Sequence, residues 1–234
     1  MKSLIKSIVV LSLLSFVTAC GKAPEPKNQA LDKGHSEPVK IEFLFTPGSL
    51  PESELSEDNI FAHNFVPEIG GTPVRFLGEY NDENKFVTSG PITLPKGKWH
   101  KLEVNFYNKS DVLLNHEFLT PVQQKMHQFF FRSYQGYDEE KLRYKKLDKK
   151  LINYKYGDVD EKGGDLEYPV GFTGYFCVSP TIGQDSFELR ISLSHVTPPA
   201  SKLDDNGKPY KYDSPSKRVS GVTDVDIRVT VNVK

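Results

Sequence analysis

A chain of 234 residues is long enough to bury a core of its own without help from disulfides. Its 30 basic side chains against 31 acidic ones leave a net charge of −1, which excludes the strongly basic face that a nucleic-acid binder needs to displace phosphate counterions. With only 2 cysteines, neither a disulfide scaffold nor a four-cysteine zinc site can be built.

At the N-terminus Lys2 and Lys6 form a short basic start. The apolar run from Ile8 to Val17, broken only by Ser12 and Ser15, is too short to span a ~30 Å hydrocarbon core but suits a secretory signal. It closes on Val17-Thr18-Ala19-Cys20-Gly21, which resembles the lipobox of bacterial lipoproteins. The resemblance implies that residues 1–19 are a signal peptide, that Cys20 becomes the lipidated N-terminus, and that the mature chain is held at the membrane. Several acyl chains on one residue exceed the two-signal threshold for stable anchoring. In that family a glycine after the cysteine, here Gly21, implies delivery to the outer membrane. Residues 20–37 then hold proline, lysine, glutamate and asparagine with almost no large apolar side chains, the composition of a flexible tether. Residues 38–234 remain as a single domain.

From Val39 onward the dominant signal is period-two alternation, the mark of strands with one buried face. Val39, Ile41, Phe43 and Phe45 alternate with Lys40, Glu42 and Leu44. Shorter candidates follow near 73–79 and 86–93, and Leu102, Val104 and Phe106 alternate with Glu103 and Asn105. Further strands are expected near 112–118, 127–134, 151–157 and 171–178. Phe187, Leu189, Ile191 and Leu193 then share one face, as do Val225, Ile227, Val229, Val231 and Val233. Turn signals such as Thr46-Pro47-Gly48 and Asn108-Lys109-Ser110-Asp111 separate them. About nine or ten strands with regular turns predict an all-β fold, an antiparallel sandwich of immunoglobulin-like type. The 16 prolines and 17 glycines are hostile to long helices. The best helix candidate, Asp138 to Leu151, has too thin an apolar face for more than a short helix or loop, and Ser201 to Ser220 reads as a polar loop.

Enzyme motifs are absent: no G-x-S-x-G elbow, no phosphate-cradling glycine loop, no C-x-x-C. The protein is therefore expected not to be an enzyme. His116-Glu117 begins like a zinc-protease H-E-x-x-H, but residue 120 is threonine. Asp158 to Gly163 begins like a calcium loop and then places Lys162 and Pro169 where ligands are required, so an acidic turn is the simpler reading. Histidine is more promising. If 112–118 and 127–131 formed a tight hairpin turning at Pro121-Val122, His116 would face His127, close enough to share a metal ion. His195 continues the inward face of its strand and would be a third ligand. Such a set suits a transition metal or haem iron. The segment Lys141 to Lys155 adds a local basic field, with Arg143, Lys145, Lys146, Lys149 and Lys150, able to attract an acidic partner or the propionates of haem. Tyr134, Tyr137, Tyr144, Tyr154 and Tyr156 crowd the same region and are expected at the rim of the core. Cys177, in the apolar Tyr175-Phe176-Cys177-Val178, is expected to be buried and inert.

The lipobox, the His127-Gln128-Phe129-Phe130-Phe131 strand, the segment Val170 to Phe176 and the closing Thr223-Asp224-Val225-Asp226-Ile227 strand together resemble a group of bacterial surface lipoproteins found chiefly in Bacteroidetes. The resemblance implies a β-sandwich serving beside outer-membrane nutrient uptake, metal or haem included, and supplies no site residues. The expected function is thus a lipid-anchored envelope binding protein capturing a transition metal or haem. The alternative is a structural or assembly lipoprotein that contacts an envelope protein or transporter and takes no small ligand.

Overall fold

In the computed structural model each long alternating run of the sequence is a strand. The structure describes residues 34–234 apart from 82, 84, 139, 142, 146–149, 161, 197–200 and 216–221. The signal segment, Cys20 and the tether as far as residue 33 lie outside the described residues, as do Lys146 and Lys149. The compact unit runs from Gly34 to Lys234, so residues 34–37, expected in the tether, belong to it.

In chain order the elements are β1 (Lys40–Ser49), β2 (Val66–Pro67), β3 (Val74–Tyr80), β4 (Phe86–Thr88), β5 (Ile92–Leu94), β6 (Trp99–Tyr107), the single turn α1 (Asn115–Phe118), β7 (His127–Tyr134), β8 (Gly136–Asp138), β9 (Arg143–Lys145), β10 (Ile152–Tyr156), β11 (Thr173–Val178), β12 (Ser186–His195) and β13 (Val222–Val233). Two sheets face each other as a sandwich. One has the order β10-β11-β6-β1-β3-β4, with β2 extending the pairing of β1, and the other the order β5-β13-β12-β7. Among the strands named here pairing is antiparallel except where β5 runs parallel to β13. The inward residues of the long strands, Phe43 and Phe45 of β1, Val104 and Phe106 of β6, and Ile191 and Leu193 of β12 among them, are fully buried in one continuous core. Each such side chain contributes about 1.5–3 kcal/mol through the apolar surface it removes from water.

Several sequence expectations are corrected, among them the turn at Thr46-Pro47-Gly48, which continues β1 against β6. The stretch 112–118 is not a strand, because Asn115 turns the chain: its Oδ1 accepts from the Phe106 amide at 2.9 Å and its Nδ2 donates to the Val104 carbonyl at 2.7 Å, replacing with a side chain the backbone partner that β6 would otherwise take. Where a short helix or loop was expected in 138–151, Arg143–Lys145 forms β9 and pairs with β8 as a small hairpin. Tyr154 and Tyr156 are not at a wet rim but buried, and Tyr156 Oη donates to the Phe129 carbonyl at 2.8 Å while accepting from Gln128 Nε2 at 2.8 Å.

The strand β7 lies at an edge of its sheet, yet its first five residues are buried. Its free backbone groups are covered: Phe129 N–H donates to the Val170 carbonyl at 2.7 Å and Phe131 N–H to the Tyr212 carbonyl at 2.8 Å. Covering an edge in this way removes a template for pairing with another chain. The loop that does so, expected to be merely polar, buries Lys202 and Tyr212. Lys202 Nζ donates to the carbonyls of Gln124 at 2.5 Å, of Pro169 at 2.8 Å and of His127. Burial pushes the pKa of Lys202 well down, with only the field of Asp158 opposing it. The three acceptors nevertheless match the three hydrogens of the charged ammonium. Asp158, in turn, accepts from the amides of Val170, Gly171 and Thr173.

Two outcomes follow from this packing. Lys202→Met leaves three carbonyls without a donor and should cost about 3 kcal/mol, a fall in Tm of roughly 6–12 °C for a domain of this size; thermal denaturation of the variant checks it. Burial pushes the Cys177 thiol up to about 12, so at pH 8 a soluble thiol reagent should leave Cys177 unlabelled in the native protein and label it after denaturation. Mass spectrometry of the peptide carrying Cys177 reads the result.

Candidate metal centre

The strands β7, β12 and β13 are neighbours, and three side chains from their ends meet at one end of the four-stranded sheet. His127, the first residue of β7, is paired directly with His195, the last of β12. Alternation puts His127 on the face of Phe129 and Phe131, and His195 on that of Ile191 and Leu193. The two rings lie 4.5 Å apart between centroids, within the reach of opposed strand residues.

Asp224 arrives by a break in the register. Leu193 pairs with Val225 but Ser194 pairs with Thr223, which makes Asp224 the extra residue of a β-bulge. The inward positions of β13 are Val225, Ile227, Val229 and Val231, so strict alternation would aim Asp224 outward. The bulge re-aims it, and its side chain is wholly buried.

The fourth group is His35, five residues before β1. Its side chain is also wholly buried, with its ring 4.1 Å from that of Phe118. The approach depends on Gly34, whose φ of +69° is one that side-chain-bearing residues rarely adopt, and where a Cβ would meet Gln123 Nε2 at 2.3 Å. One residue on, the Ser36 amide donates to Glu117 Oε2 at 2.5 Å and Ser36 Oγ to Glu117 Oε1 at 3.2 Å.

Four potential ligand atoms, one from each residue, lie within 4.8 Å of one another. His127 Nε2 is 3.1 Å from Asp224 Oδ2 and 3.2 Å from His35 Nε2. Asp224 Oδ2 is 3.6 Å from His35 Nε2 and 3.4 Å from His195 Nδ1. Nitrogen and oxygen ligands placed ~2.0–2.1 Å from a tetrahedral ion are about 3.3–3.4 Å apart; these four spacings bracket that value, within a set that extends to 4.8 Å.

Proton positions sharpen the case. His127 Nδ1 is 3.0 Å from the Gln123 carbonyl and His35 Nδ1 is 3.1 Å from the Ser36 carbonyl. A carbonyl oxygen only accepts, so each Nδ1 is placed to donate to its carbonyl, which directs the Nε2 edge of both rings toward the other groups of the cluster. A histidine whose remote nitrogen is fixed by a backbone carbonyl is also the arrangement that orients metal ligands.

Of the three histidines expected from sequence to ligate, His127 and His195 are brought together and His116 is not. The expected hairpin does not form: α1 and a 3-10 turn at Gln123–Lys125 occupy the stretch before β7, and β7 pairs with β12 instead. His116 is exposed on α1, although its neighbours Glu117 and Phe118 hold the His35 segment. His35 and Asp224 were missed. Asp224 had a sequence signal, since Val222 and Val225 fall on opposite parities and imply a slip between them. The remaining histidines are engaged elsewhere: His63 Nε2 is 2.9 Å from Asp165 Oδ1, and His100 is buried in β6, its pKa lowered by that burial. The calcium-like loop has its acids committed, Asp158 and Asp160 to backbone amides and Asp165 to His63. In the basic segment Lys141, Lys145 and Lys150 are exposed, whereas Lys155 is buried and donates to the carbonyls of Ser56 at 2.7 Å and Asn59 at 2.5 Å. A cavity of about 330 Å³ beside Trp99, Lys150 and Tyr212 and another of about 540 Å³ beside His63 and Tyr175 both lie away from the cluster.

In comparison with known proteins, no family model matches the chain, and no curated protein or solved structure is similar to it.

Proposed function

We propose that this protein is a lipid-anchored envelope protein whose β-sandwich binds one transition-metal ion, of the zinc class, through His35, His127, His195 and Asp224. The observation that carries the reading is the convergence of four buried donor atoms of the right chemistry within 4.8 Å of one another. Three imidazoles and one carboxylate suit zinc and its borderline neighbours better than calcium or magnesium, which prefer all-oxygen sets. The lipobox supports the location, with Cys20 as the anchor, and capture of metal for uptake by an envelope transporter as the role.

A single ion is favoured over haem. A porphyrin supplies four nitrogens around its iron and leaves at most two positions, on opposite faces, for the protein. Here four protein donors crowd within 4.8 Å, and neither cavity described above opens onto them. A second reading keeps the ion but makes it a structural one, favoured by one feature. Four protein ligands in a closed site, with side-chain exposures of 0–6%, are the pattern of a structural ion.

Elemental analysis of the purified full-length chain should find one zinc equivalent or uptake of one on titration. His127→Ala and Asp224→Ala should each weaken binding by more than about 100-fold, while His116→Ala leaves it unchanged. Absence of binding by the wild type would overturn the reading. Zinc at about 1,000 times its Kd should stabilise the fold by roughly 4 kcal/mol, visible as a rise in Tm that a chelator reverses. Retention of the ion through prolonged dialysis against chelator would favour the structural role over capture.

A further inference from the structure

The four ligands are not held alike. His127, His195 and Asp224 sit on three adjacent strands whose backbone ladders fix them relative to one another. His35 sits on a segment ahead of β1 that has no ladder partner of its own; regular pairing begins only where the Val39 amide donates to the Tyr107 carbonyl at 2.9 Å. The contacts that hold the segment include those of Ser36 to Glu117, the His35 ring on Phe118 and on the rings of His127 and His195, and the positive φ of Gly34 against Gln123, with the buried Pro38 marking where it joins the sandwich.

We infer that residues 34–37 form a strap, anchored by the buried Pro38, and that His35 is the exchangeable fourth ligand, converting a closed holding site into an open one from which the ion is passed to an incoming donor. The inference rests on the metal-binding reading. With the strap down, four protein donors saturate a tetrahedral ion, and the buried site resists exchange. With the strap lifted, three protein ligands remain and one position opens, the arrangement found where metals take up outside ligands. The step is a ligand substitution with no change of oxidation state: the lone pair of the incoming nitrogen, oxygen or sulfur donor takes the position that His35 Nε2 leaves. Free imidazole stands in for such a donor in a test. Because the ladder ligands do not move, the remaining three can re-form the closed site without refolding. Local segments held by a few contacts open at far smaller free energies than core strands, which makes the strap the natural route for entry and exit.

The test loads the full-length chain with Co(II), whose visible spectrum reports coordination, and follows release to EDTA by stopped flow. His35→Ala should still bind one Co(II), release it at least about 10-fold faster, and change its spectrum when free imidazole fills the fourth position. Glu117→Ala, which loosens the strap while leaving every ligand in place, should keep the wild-type stoichiometry and spectrum and also release faster. Release at the wild-type rate in both variants would overturn the proposal while leaving the metal site standing. Loss of Co(II) from His35→Ala as complete as that from His127→Ala would do the same, since His35 would then be a ligand like the others. Failure of the wild type to bind Co(II) or Zn(II) at all would overturn the metal reading and this proposal with it.

Discussion

The pairing of His127 with His195 across β7 and β12, next to the slip in register that frees Asp224 from alternation, is the constraint on which the candidate centre depends. Backbone hydrogen bonds set those three side chains on one face at one end of one sheet. The sandwich core beneath them, from Phe129 and Leu193 to Val225, fixes the sheet's position. The site therefore inherits its order from the most strongly held part of the molecule. His35 alone comes from outside that framework.

The supports behind His127 form a connected set. Lys202 binds the His127 carbonyl and ties it to Gln124 and Pro169, and the Gln123 carbonyl lies 3.0 Å from Nδ1 of the ring. Asp158 organises the amides of residues 170–173, which cover the edge of β7 through Val170. These are buried polar groups with partners, as burial demands. They make the first turn of β7 rigid where an edge strand would ordinarily fray.

Much of the fold was legible because a half-buried strand writes itself as alternation, and the runs around Phe43, Val104, Ile191 and Ile227 did so. Half the site was legible, for two different reasons: His195 continues the inward face of its strand, whereas His127 was singled out by a hairpin register that does not form. The partner assigned to His127 was wrong because side-chain mimicry by Asn115 cannot be read from periodicity, and it turned an apolar run into a helical turn. His35 was hidden by composition, since a polar, proline-containing stretch looks like tether whether or not one of its residues docks. Asp224 was hidden by parity, and only the phase change between Val222 and Val225 betrayed the bulge. Long-range coverage of β7 by the loop carrying Lys202 and Tyr212 leaves no local pattern at all.

The bulge in β13 also predicts how this protein tolerates change over generations. Because Asp224 faces its companions through an odd count of residues, the centre is indifferent to many exchanges of one apolar core residue for another of similar volume. It is intolerant of length. Removing a single residue between Val222 and Val225 would restore perfect alternation, preserve the ladder with β12, and turn the carboxylate to the solvent face. A lineage could thus lose the centre through one deleted codon while keeping an intact sandwich, and the spacing between the last long loop and Val225 becomes the quantity to count when judging whether a related chain still carries it.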